Sequence, residues 1–327
     1  MQDLNQGAAM TALAERSTFA MPDAAVAIVE VGPRDGFQSI GPLIPTDRKI
    51  GLVRALHAAG VRRIEATSFV SPSALPQLAD ADEVLAAAQA LVGLDAQVLV
   101  PTARHAERAS AAGAKHLAFV LSVSERHNRG NVRRSPTESV EEYRAIVAAG
   151  APGTKIRLNV ATAFDCPHGG RMAIADVIAL LDRLIPIEPD AEIALCDTTG
   201  RVTPDHVEAL IGAVTARYPQ VRAWAFHAHD TYGLGAANVL AAWKAGVSIF
   251  DAAIAGLGGC PFAPGATGNV ATEDLVWMFE GMGVSTGVDV QRLASVAEEA
   301  AAIPGAQVGG RVRDALRARA CRVEALA

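Results

Sequence analysis

Short apolar runs alternate with longer amphipathic stretches along the chain from about residue 24 onward. Eight of these runs predict β-strands: VAIVEV (26–31), RRIEATSF (62–69), AQVLVP (96–101), HLAFVLS (116–122), KIRLNVAT (155–162), EIALCD (192–197), AWAFHAH (223–229) and SIFDAAIA (248–255). Each run is almost continuously apolar and lacks a period-two alternation. This pattern is typical of parallel strands that are buried on both faces.

The stretches between the strands predict helices, because their apolar residues recur with a period near 3.6. TDRKIGLVRALHAAG has a predicted N-cap at Thr46 and ends on Gly60. SPTESVEEYRAIVAAG has proline and acidic residues in its first turn and Gly150 at its end, and TPDHVEALIGAVTARYP repeats the pattern. Eight strand–helix units in about 260 residues predict a (β/α)8 TIM barrel with additional C-terminal helices, rather than a doubly wound sheet.

We expect three parts in the chain: a mobile N-terminal tail (1–23), a catalytic (β/α)8 barrel (24–286) and a C-terminal helical extension (287–327). The first residues lack the basic and apolar regions of a signal peptide. No apolar run reaches the roughly 18 residues of a membrane span. VDVQRLASVAEEAAAI and GRVRDALRARA predict two helices in the extension, and we expect a homodimer to form through them.

Composition excludes several functional classes. Half of the 327 residues are hydrophobic, and the net charge of −6 argues against a nucleic-acid-binding face. The four cysteines lie far apart in the sequence, which is not a disulfide framework and fits a reducing cytoplasm. We therefore expect a cytoplasmic protein that binds neither nucleic acid nor membrane.

Polar residues follow the predicted strands at the end where the active site of such a barrel lies. These strand ends and the segments directly after them carry Arg34, Asp35, Glu65, Asp197, His227, His229, Cys260 and Asn269. Since the carboxyl ends of all eight strands meet at one mouth, we expect these distant residues to lie close together.

His227 and His229 occupy alternate positions of a strand, so both side chains can face the barrel axis. Taken alone, one histidine of such a pair can equally be a buried core residue. With Asp35 and the amide oxygen of Asn269, the pair offers two nitrogen and two oxygen ligands. This donor set favours an octahedral divalent cation, Mg²⁺ or Mn²⁺, over a closed zinc site.

Three further charged residues have alternative interpretations. Arg34 can stabilise an oxyanion, because its guanidinium is permanently charged, or it can be a structural partner of Asp35. Glu65 lies inside an apolar strand and must be paired, either near the metal or with Arg34. Asp197 is predicted to anchor a metal ligand or to contact the substrate.

Two loops at the predicted mouth also carry candidate chemistry. GLGGCPFAPGATGN (256–269) is either a flexible connection or a lid, and in a lid Cys260 is a candidate proton donor. The loop after strand four contains Arg126, Arg129, Arg133 and Arg134, which either receive phosphates or lie in solvent. Cys196 is predicted to be a small core residue.

The segments EVGPRDGFQ, IEATSFVSPSALPQLAD and HAHDTYGLGAANVLAAWKAGVSIFDAAIAGLGGCPFAPGATGNVATEDLVWMFEGMG resemble the 3-hydroxy-3-methylglutaryl-CoA lyase family. That family belongs to metal-dependent barrel lyases and synthases that share an Arg-Asp motif after strand one. The resemblance runs from about Val26 to Gly287. It implies metal ligation by Asp35, His227, His229 and Asn269, and catalytic roles for Arg34, Glu65, Asp197, His227 and Cys260. The implied reaction is retro-aldol (Claisen) cleavage of 3-hydroxy-3-methylglutaryl-CoA, an acyl-CoA substrate, to acetyl-CoA and acetoacetate.

Two segments depart from the family pattern, and both border the predicted acyl pocket. LCDTTG stands where the family usually has LGDTIG, and ATAFDCPHGG replaces a GCPYEG region. A lyase acting on another 3-hydroxy-acyl-CoA, such as citramalyl-CoA or a longer branched glutaryl-CoA, is therefore the alternative. A condensing synthase is disfavoured, because synthases carry Glu-Arg at the position of Cys260-Pro261 and usually a long C-terminal extension. A binding protein without catalysis is disfavoured, because every predicted ligand is retained.

Overall fold

Eight parallel strands close into a barrel within the part of the chain that the structure describes, and this confirms the predicted (β/α)8 architecture. The structure is a computed structural model that describes residues 26–259 and 268–324. The strands are β1 (Ala27–Glu30), β2 (Arg63–Ser68), β3 (Asp95–Leu99), β4 (His116–Ser122), β5 (Lys155–Ala161), β6 (Glu192–Cys196), β7 (Trp224–His227) and β8 (Ile249–Ala252). Their order around the barrel is β1-β8-β7-β6-β5-β4-β3-β2, with every neighbour parallel.

Helices follow the strands and pack around the barrel. They are α1 (Thr46–Ala58), α2 (Ala81–Gln89), α3 (Ala103–Ala111), α4 (Glu125–Val132), α5 (Pro136–Ala149), α6 (Ile174–Leu184), α7 (Pro204–Arg217), α8 (Gly235–Lys244), α9 (Thr272–Gly281), α10 (Val290–Ala301) and α11 (Val312–Glu324). The helices α10 and α11 confirm the two that were predicted after residue 287. The boundary at Gly287 stays a prediction, and the tail over residues 1–23 lies outside the described residues.

Helix starts agree with the sequence in one place and differ in another. Helix α5 begins where proline and acidic residues predict a helix start, and there Ser135 and Glu138 form a capping box, in which each accepts from the other's backbone N–H. The predicted N-cap at Thr46 is wrong, because α1 begins at Thr46 itself and Pro45 is the N-cap. The Thr46 hydroxyl instead donates to Asp80, 2.8 Å away, and so ties α1 to the start of α2.

The connections after β4 and β5 contain more regular structure than the sequence indicates. The arginine-rich segment after β4 forms helix α4, capped by Ser124, where the sequence predicts a loop. After β5 the chain makes a short antiparallel hairpin, Asp165–Cys166 with Gly170–Arg171, at the mouth of the barrel. No described helix combines the length and the apolarity that a bilayer span requires.

Candidate active site

The segment directly after β1 brings Arg34 and Asp35 to the barrel mouth. Residues Gly32–Gly36 form one turn of π-helix, in which the backbone N–H groups of Arg34, Asp35 and Gly36 all donate to the carbonyl of Val31. A side chain at Gly32 would place its Cβ 2.6 Å from the buried carboxylate of Glu30, so only glycine fits there. The sequence predicts the two site residues here, but it does not predict the π-helical turn that aims them.

Arg34 is held between two carboxylates. Its Nε donates to Glu65 on the neighbouring strand β2, with Nη2 in ion-pair contact with the same oxygen, and its Nη1 donates to Asp35. Of the two predicted alternatives for Glu65, the structure therefore places it against Arg34. Burial alone would raise the pKa of Asp35, but the charge of Arg34, the two neighbouring histidines and the hydrogen bond from Asn269 together outweigh it, and the pKa lies well below its ordinary value. Asp35 is therefore ionised, as a cation ligand must be.

Three ligand atoms converge beside this pair. One side-chain atom each from Asp35, His227 and His229 lies within 4.8 Å of the other two. The Nδ1 of His227 is 3.0 Å from Asp251 Oδ2, and the Nδ1 of His229 is 2.9 Å from the carbonyl of Thr198. Because both Nδ1 atoms are engaged, the Nε2 atoms are the ones left for a cation. Burial lowers the pKa of His229 to about 4, so its lone pair is available at neutral pH.

Asn269 is the fourth predicted ligand, and the structure brings it to the same place. Its backbone pairs with that of His229 in an isolated antiparallel bridge. Its Nδ2 donates to Asp35 Oδ2 at 2.8 Å and to the carbonyl of Leu257 at 3.0 Å. Its Oδ1 is buried and has no hydrogen-bond partner among the described residues. An orphaned buried amide oxygen beside a carboxylate and two imidazoles fits an absent divalent cation.

Asp197 lies at the carboxyl end of β6, next to the residue whose carbonyl holds His229. One of its oxygens accepts from the backbone N–H of Gly200, while the other is buried without a hydrogen-bond partner among the described residues. Burial raises the pKa of Asp197 to about 6, although backbone hydrogen bonds act against it. At neutral pH this carboxylate has one oxygen available for a substrate proton or hydroxyl.

Cys166 and Cys196 lie among the described residues, whereas Cys260 does not. Cys260, the candidate proton donor, lies outside the described residues, so its role stays a prediction. Cys196 is buried at the end of β6, which confirms it as a core residue, and burial raises the pKa of its thiol. Cys166 is also buried, with its Sγ 3.0 Å from Ser124 Oγ.

Sequence reasoning missed the charged residues beneath the mouth. Arg157 on β5, Glu192 on β6 and Asp251 on β8 are all buried inside the barrel and joined by ion pairs. A usable signal was present, because each is a charged residue within an apolar strand and a buried charge must be paired. The same argument applied to Glu65 identified a residue that does contact the site.

The two segments that depart from the family pattern contact each other. Thr199, in LCDTTG, donates a hydrogen bond of 2.7 Å to Asp165, in ATAFDCPHGG. Arg201 also donates to Asp165 and to the carbonyl of Cys166. The departures are therefore one connected feature of the mouth rather than two independent changes.

The arginines after β4 are only partly free for a phosphate. Arg129 pairs with Glu125 and Arg134 pairs with Glu142, whereas Arg126 and Arg133 are exposed. Contact between these arginines and the phosphates of coenzyme A stays a prediction.

Comparison with known proteins agrees with this geometry. The sequence model of a family described as HMGL-like matches residues 25–299. The mitochondrial hydroxymethylglutaryl-CoA lyase of Mus musculus is 45% identical over 269 residues, which are 82% of this chain and 82% of the mouse protein.

Solved structures give the same result. The HMG-CoA lyase of Bacillus subtilis superimposes with a TM-score of 0.85 at 36% identity, over 89% of this chain and 98% of the other. An HMG-CoA lyase from Acinetobacter baumannii, in complex with coenzyme A and 3-methylmalate, has a TM-score of 0.82 at 38% identity, over 89% and 94% of the two chains.

Proposed function

The chain belongs to the HMGL-like family, and from this we propose that it is a divalent-metal-dependent lyase that cleaves 3-hydroxy-3-methylglutaryl-CoA to acetyl-CoA and acetoacetate. One observation carries the proposal: the convergence of Asp35, His227 and His229 directly beside the Arg34 guanidinium. A cation site that adjoins a fixed positive charge suits a reaction in which an alkoxide and then an enolate develop.

We propose that Asp35, His227, His229 and Asn269 hold the cation, Mg²⁺ or Mn²⁺. Two oxygens and two imidazole nitrogens suit such an ion, and the orphaned Oδ1 of Asn269 supports this assignment. When bound, the cation supplies a Lewis acid that polarises the hydroxyl and carboxylate oxygens of the substrate. The backbone bridge to His229 positions Asn269, and the hydrogen bonds from its Nδ2 to Asp35 and to the carbonyl of Leu257 orient its amide.

Arg34 is proposed to stabilise the thioester enolate that departs when the carbon–carbon bond breaks. Its guanidinium is oriented by Glu65 before any substrate arrives, so little reorganisation is needed during the reaction. Removing one preorganised donor of this kind costs about 2.7–4 kcal/mol of transition-state stabilisation in comparable sites.

Three groups are proposed to move protons during the reaction. Proton transfer by His227 would also use Nε2, since its Nδ1 is engaged with Asp251, so His227 would transfer a proton only while Nε2 is not bound to the cation. Asp197, with one unpartnered oxygen and a pKa of about 6, is the group that we propose accepts the hydroxyl proton. Cys260 is proposed to protonate the enolate carbon, on the basis of its sequence position alone.

A second candidate is a lyase for another 3-hydroxy-acyl-CoA, such as citramalyl-CoA. The observation that favours it is the hydrogen bond between Thr199 and Asp165, which joins the two segments that depart from the family pattern. The Acinetobacter baumannii lyase has been described with coenzyme A and 3-methylmalate, so a related mouth accepts coenzyme A beside a branched hydroxy acid.

The test is release of acetoacetate and acetyl-CoA from 3-hydroxy-3-methylglutaryl-CoA, with Mg²⁺ or Mn²⁺ and after chelation. We expect cleavage that the chelator abolishes and either cation restores. If the protein binds the cation but leaves this thioester intact, the second candidate replaces the first, and citramalyl-CoA is tested next.

We further propose that the protein is a cytoplasmic homodimer. Two exposed apolar side chains on or near α9, Trp277 and Met282, support an interface on the side where the C-terminal helices pack. Free buried thiols at Cys166 and Cys196 fit a reducing compartment. Light scattering on the purified protein distinguishes the dimer mass from the monomer mass.

A further inference from the structure

We propose that Asp251 and Arg157 are positioning residues for His227, and that they hold its ring with Nδ1 protonated and Nε2 directed toward the cation. The inference rests on the proposed role of His227 as a ligand. It adds two residues beneath the site that contact neither substrate nor cation and that act through the histidine.

Asp251 contacts His227 directly. The two residues are directly paired across β8 and β7, so their side chains point into the barrel side by side. The Nδ1 of His227 lies 3.0 Å from Asp251 Oδ2. An ionised carboxylate can only accept, so the proton lies on Nδ1 and the lone pair of the neutral ring lies on Nε2.

Asp251 is in turn held in place by Arg157. Arg157 reaches from β5 across the barrel, and its Nη2 lies 2.7 Å from both carboxylate oxygens of Asp251. The side chain of Arg157 is fully buried, with an exposed fraction of 0%. Its Nη1 donates to Glu192 at 2.6 Å and its Nε donates to Asn159 at 2.9 Å, so the guanidinium cannot turn away. Asp251 is thus held in one orientation and kept ionised.

The same network continues around the barrel interior to the other side of the site. Arg63 donates to both oxygens of Glu192 at 2.7 Å and to Gln97 at 3.1 Å. Gln97 in turn donates to Glu65 at 3.2 Å, and Glu65 holds Arg34. Asp35, in the turn after β1, and His227, on β7, are therefore connected through one continuous set of hydrogen bonds.

A purely structural role does not explain this arrangement well. Buried ion pairs contribute little net stability, because the cost of desolvation offsets the attraction, and apolar residues would fill the barrel equally well. Metal-ligating histidines, in contrast, regularly donate their second ring nitrogen to a carboxylate, and loss of that partner typically weakens metal affinity or activity by 10–100-fold. Asp251 is such a carboxylate partner, because it accepts from the Nδ1 of a proposed ligand.

Metal binding to the purified, chelator-treated protein provides the first test. We expect Asp251→Asn to weaken Mn²⁺ binding, measured by calorimetry, by 10–100-fold. The matched control is Asp80→Asn, the same substitution in an ion pair with the buried Lys49, in which both oxygens of Asp80 lie 2.9 Å from Lys49 Nζ. Both variants should lower the melting temperature, but only Asp251→Asn should weaken Mn²⁺ binding.

Two further measurements keep the test informative if Asp251→Asn does not fold. Arg157→Lys retains one positive charge, and we expect it to weaken Mn²⁺ binding less than Arg157→Met does. In ¹⁵N-histidine-labelled wild-type protein without metal at alkaline pH, nuclear magnetic resonance should show His227 protonated on Nδ1. Assignment of that signal uses its loss in His227→Gln.

The outcomes separate this inference from the proposed function. Wild-type protein that binds no Mn²⁺ would overturn the proposed function. Wild-type protein that binds Mn²⁺, with unchanged affinity in the Asp251 and Arg157 variants or with His227 protonated on Nε2, would overturn only the positioning role. Weakened binding in those variants, with normal binding in Asp80→Asn, supports it.

Discussion

The guanidinium of Arg34 and the carboxylate of Glu65 form an ion pair in which Nε donates to Glu65 Oε2 and Nη2 lies close to the same oxygen, although 31 positions separate the residues in the sequence. Both side chains are buried, Arg34 to 9% and Glu65 to 1% exposure. Glu65 therefore fixes the orientation of the Arg34 guanidinium, which carries a permanent positive charge, at the barrel mouth. The proposed stabilisation of an enolate depends on this fixed orientation.

Replacing Arg34 should remove turnover without removing the cation. We expect Arg34→Met to lower kcat by about 10²–10³-fold, because one preorganised donor to the developing negative charge is lost. Mn²⁺ affinity, measured by calorimetry, should change little, and Glu65→Gln should reduce kcat by a smaller factor. The control is Arg144→Met, which removes an exposed arginine that pairs with Glu141 on the outer helix α5. Normal turnover in Arg34→Met would contradict the proposed role.

Replacing a ligand should remove the cation itself. We expect Asp35→Ala and His229→Ala to weaken Mn²⁺ binding at least 100-fold, since each removes one proposed ligand. The increase in melting temperature that saturating Mn²⁺ produces should disappear in both variants. His57→Gln, on the outer helix α1, should retain the full increase. Undiminished stabilisation of either ligand variant would place the cation elsewhere.

The stability of the protein should depend on the ionisation of Glu273. Burial raises the pKa of this carboxyl to about 8, while its Oε2 accepts from the backbone N–H of Ala255. Between its ordinary pKa and pH 8 the folded state retains a proton that the unfolded chain has released, so stability falls as pH rises through this window. Glu273→Gln keeps an acceptor but carries no charge, so it should flatten the decline.

Melting temperatures from pH 5 to pH 9 provide the measurement for Glu273. The difference between Glu273→Gln and the wild type should increase with pH. The exposed Glu141→Gln serves as the control and should follow the wild type at every pH. A constant difference between the Glu273 variant and the wild type would show that this carboxyl does not titrate in the expected range.

Restoring the family pattern at the mouth should alter the choice of acyl group. The double variant Asp165→Gly, Thr199→Ile removes the hydrogen bond between the two segments. We expect the ratio of kcat/KM for 3-hydroxy-3-methylglutaryl-CoA to that for citramalyl-CoA to change by about 10-fold or more, the effect of one to two kcal/mol in a pocket. Thr137→Val, on the outer helix α5, should leave the ratio unaltered. An unaltered ratio in the double variant would remove this hydrogen bond from the determinants of specificity.

Substituting the predicted lid cysteine should slow catalysis while sparing binding. A serine at position 260 is a much weaker acid than the thiol, so Cys260→Ser should lower kcat by about 10²–10⁴-fold with KM nearly constant. Steady-state kinetics on this variant and on Cys321→Ser, in the C-terminal extension, separate a local effect from a general one. Full activity of Cys260→Ser would reduce the residue to a packing role.

The architecture was accessible from the sequence because it depends on local periodicity. Eight apolar runs separated by amphipathic stretches predict a closed parallel barrel, and all eight strands overlap the predicted runs. The barrel topology in turn places the carboxyl ends of the strands at one mouth. That topology alone predicts that Arg34, Asp35, His227 and Asn269 lie close together.

Only the tertiary structure decided what lies beneath and between those residues. The π-helical turn after β1 is a local feature that the hydrophobic pattern does not reveal. The hydrogen bond from Thr199 to Asp165 and the path from His227 through Asp251 to Arg157 each join residues distant in sequence. Their geometry depends on strand register and on the close approach of side chains across the barrel. Local sequence patterns carry no information about such approaches, since periodicity specifies which face a residue occupies but not which residue it meets there.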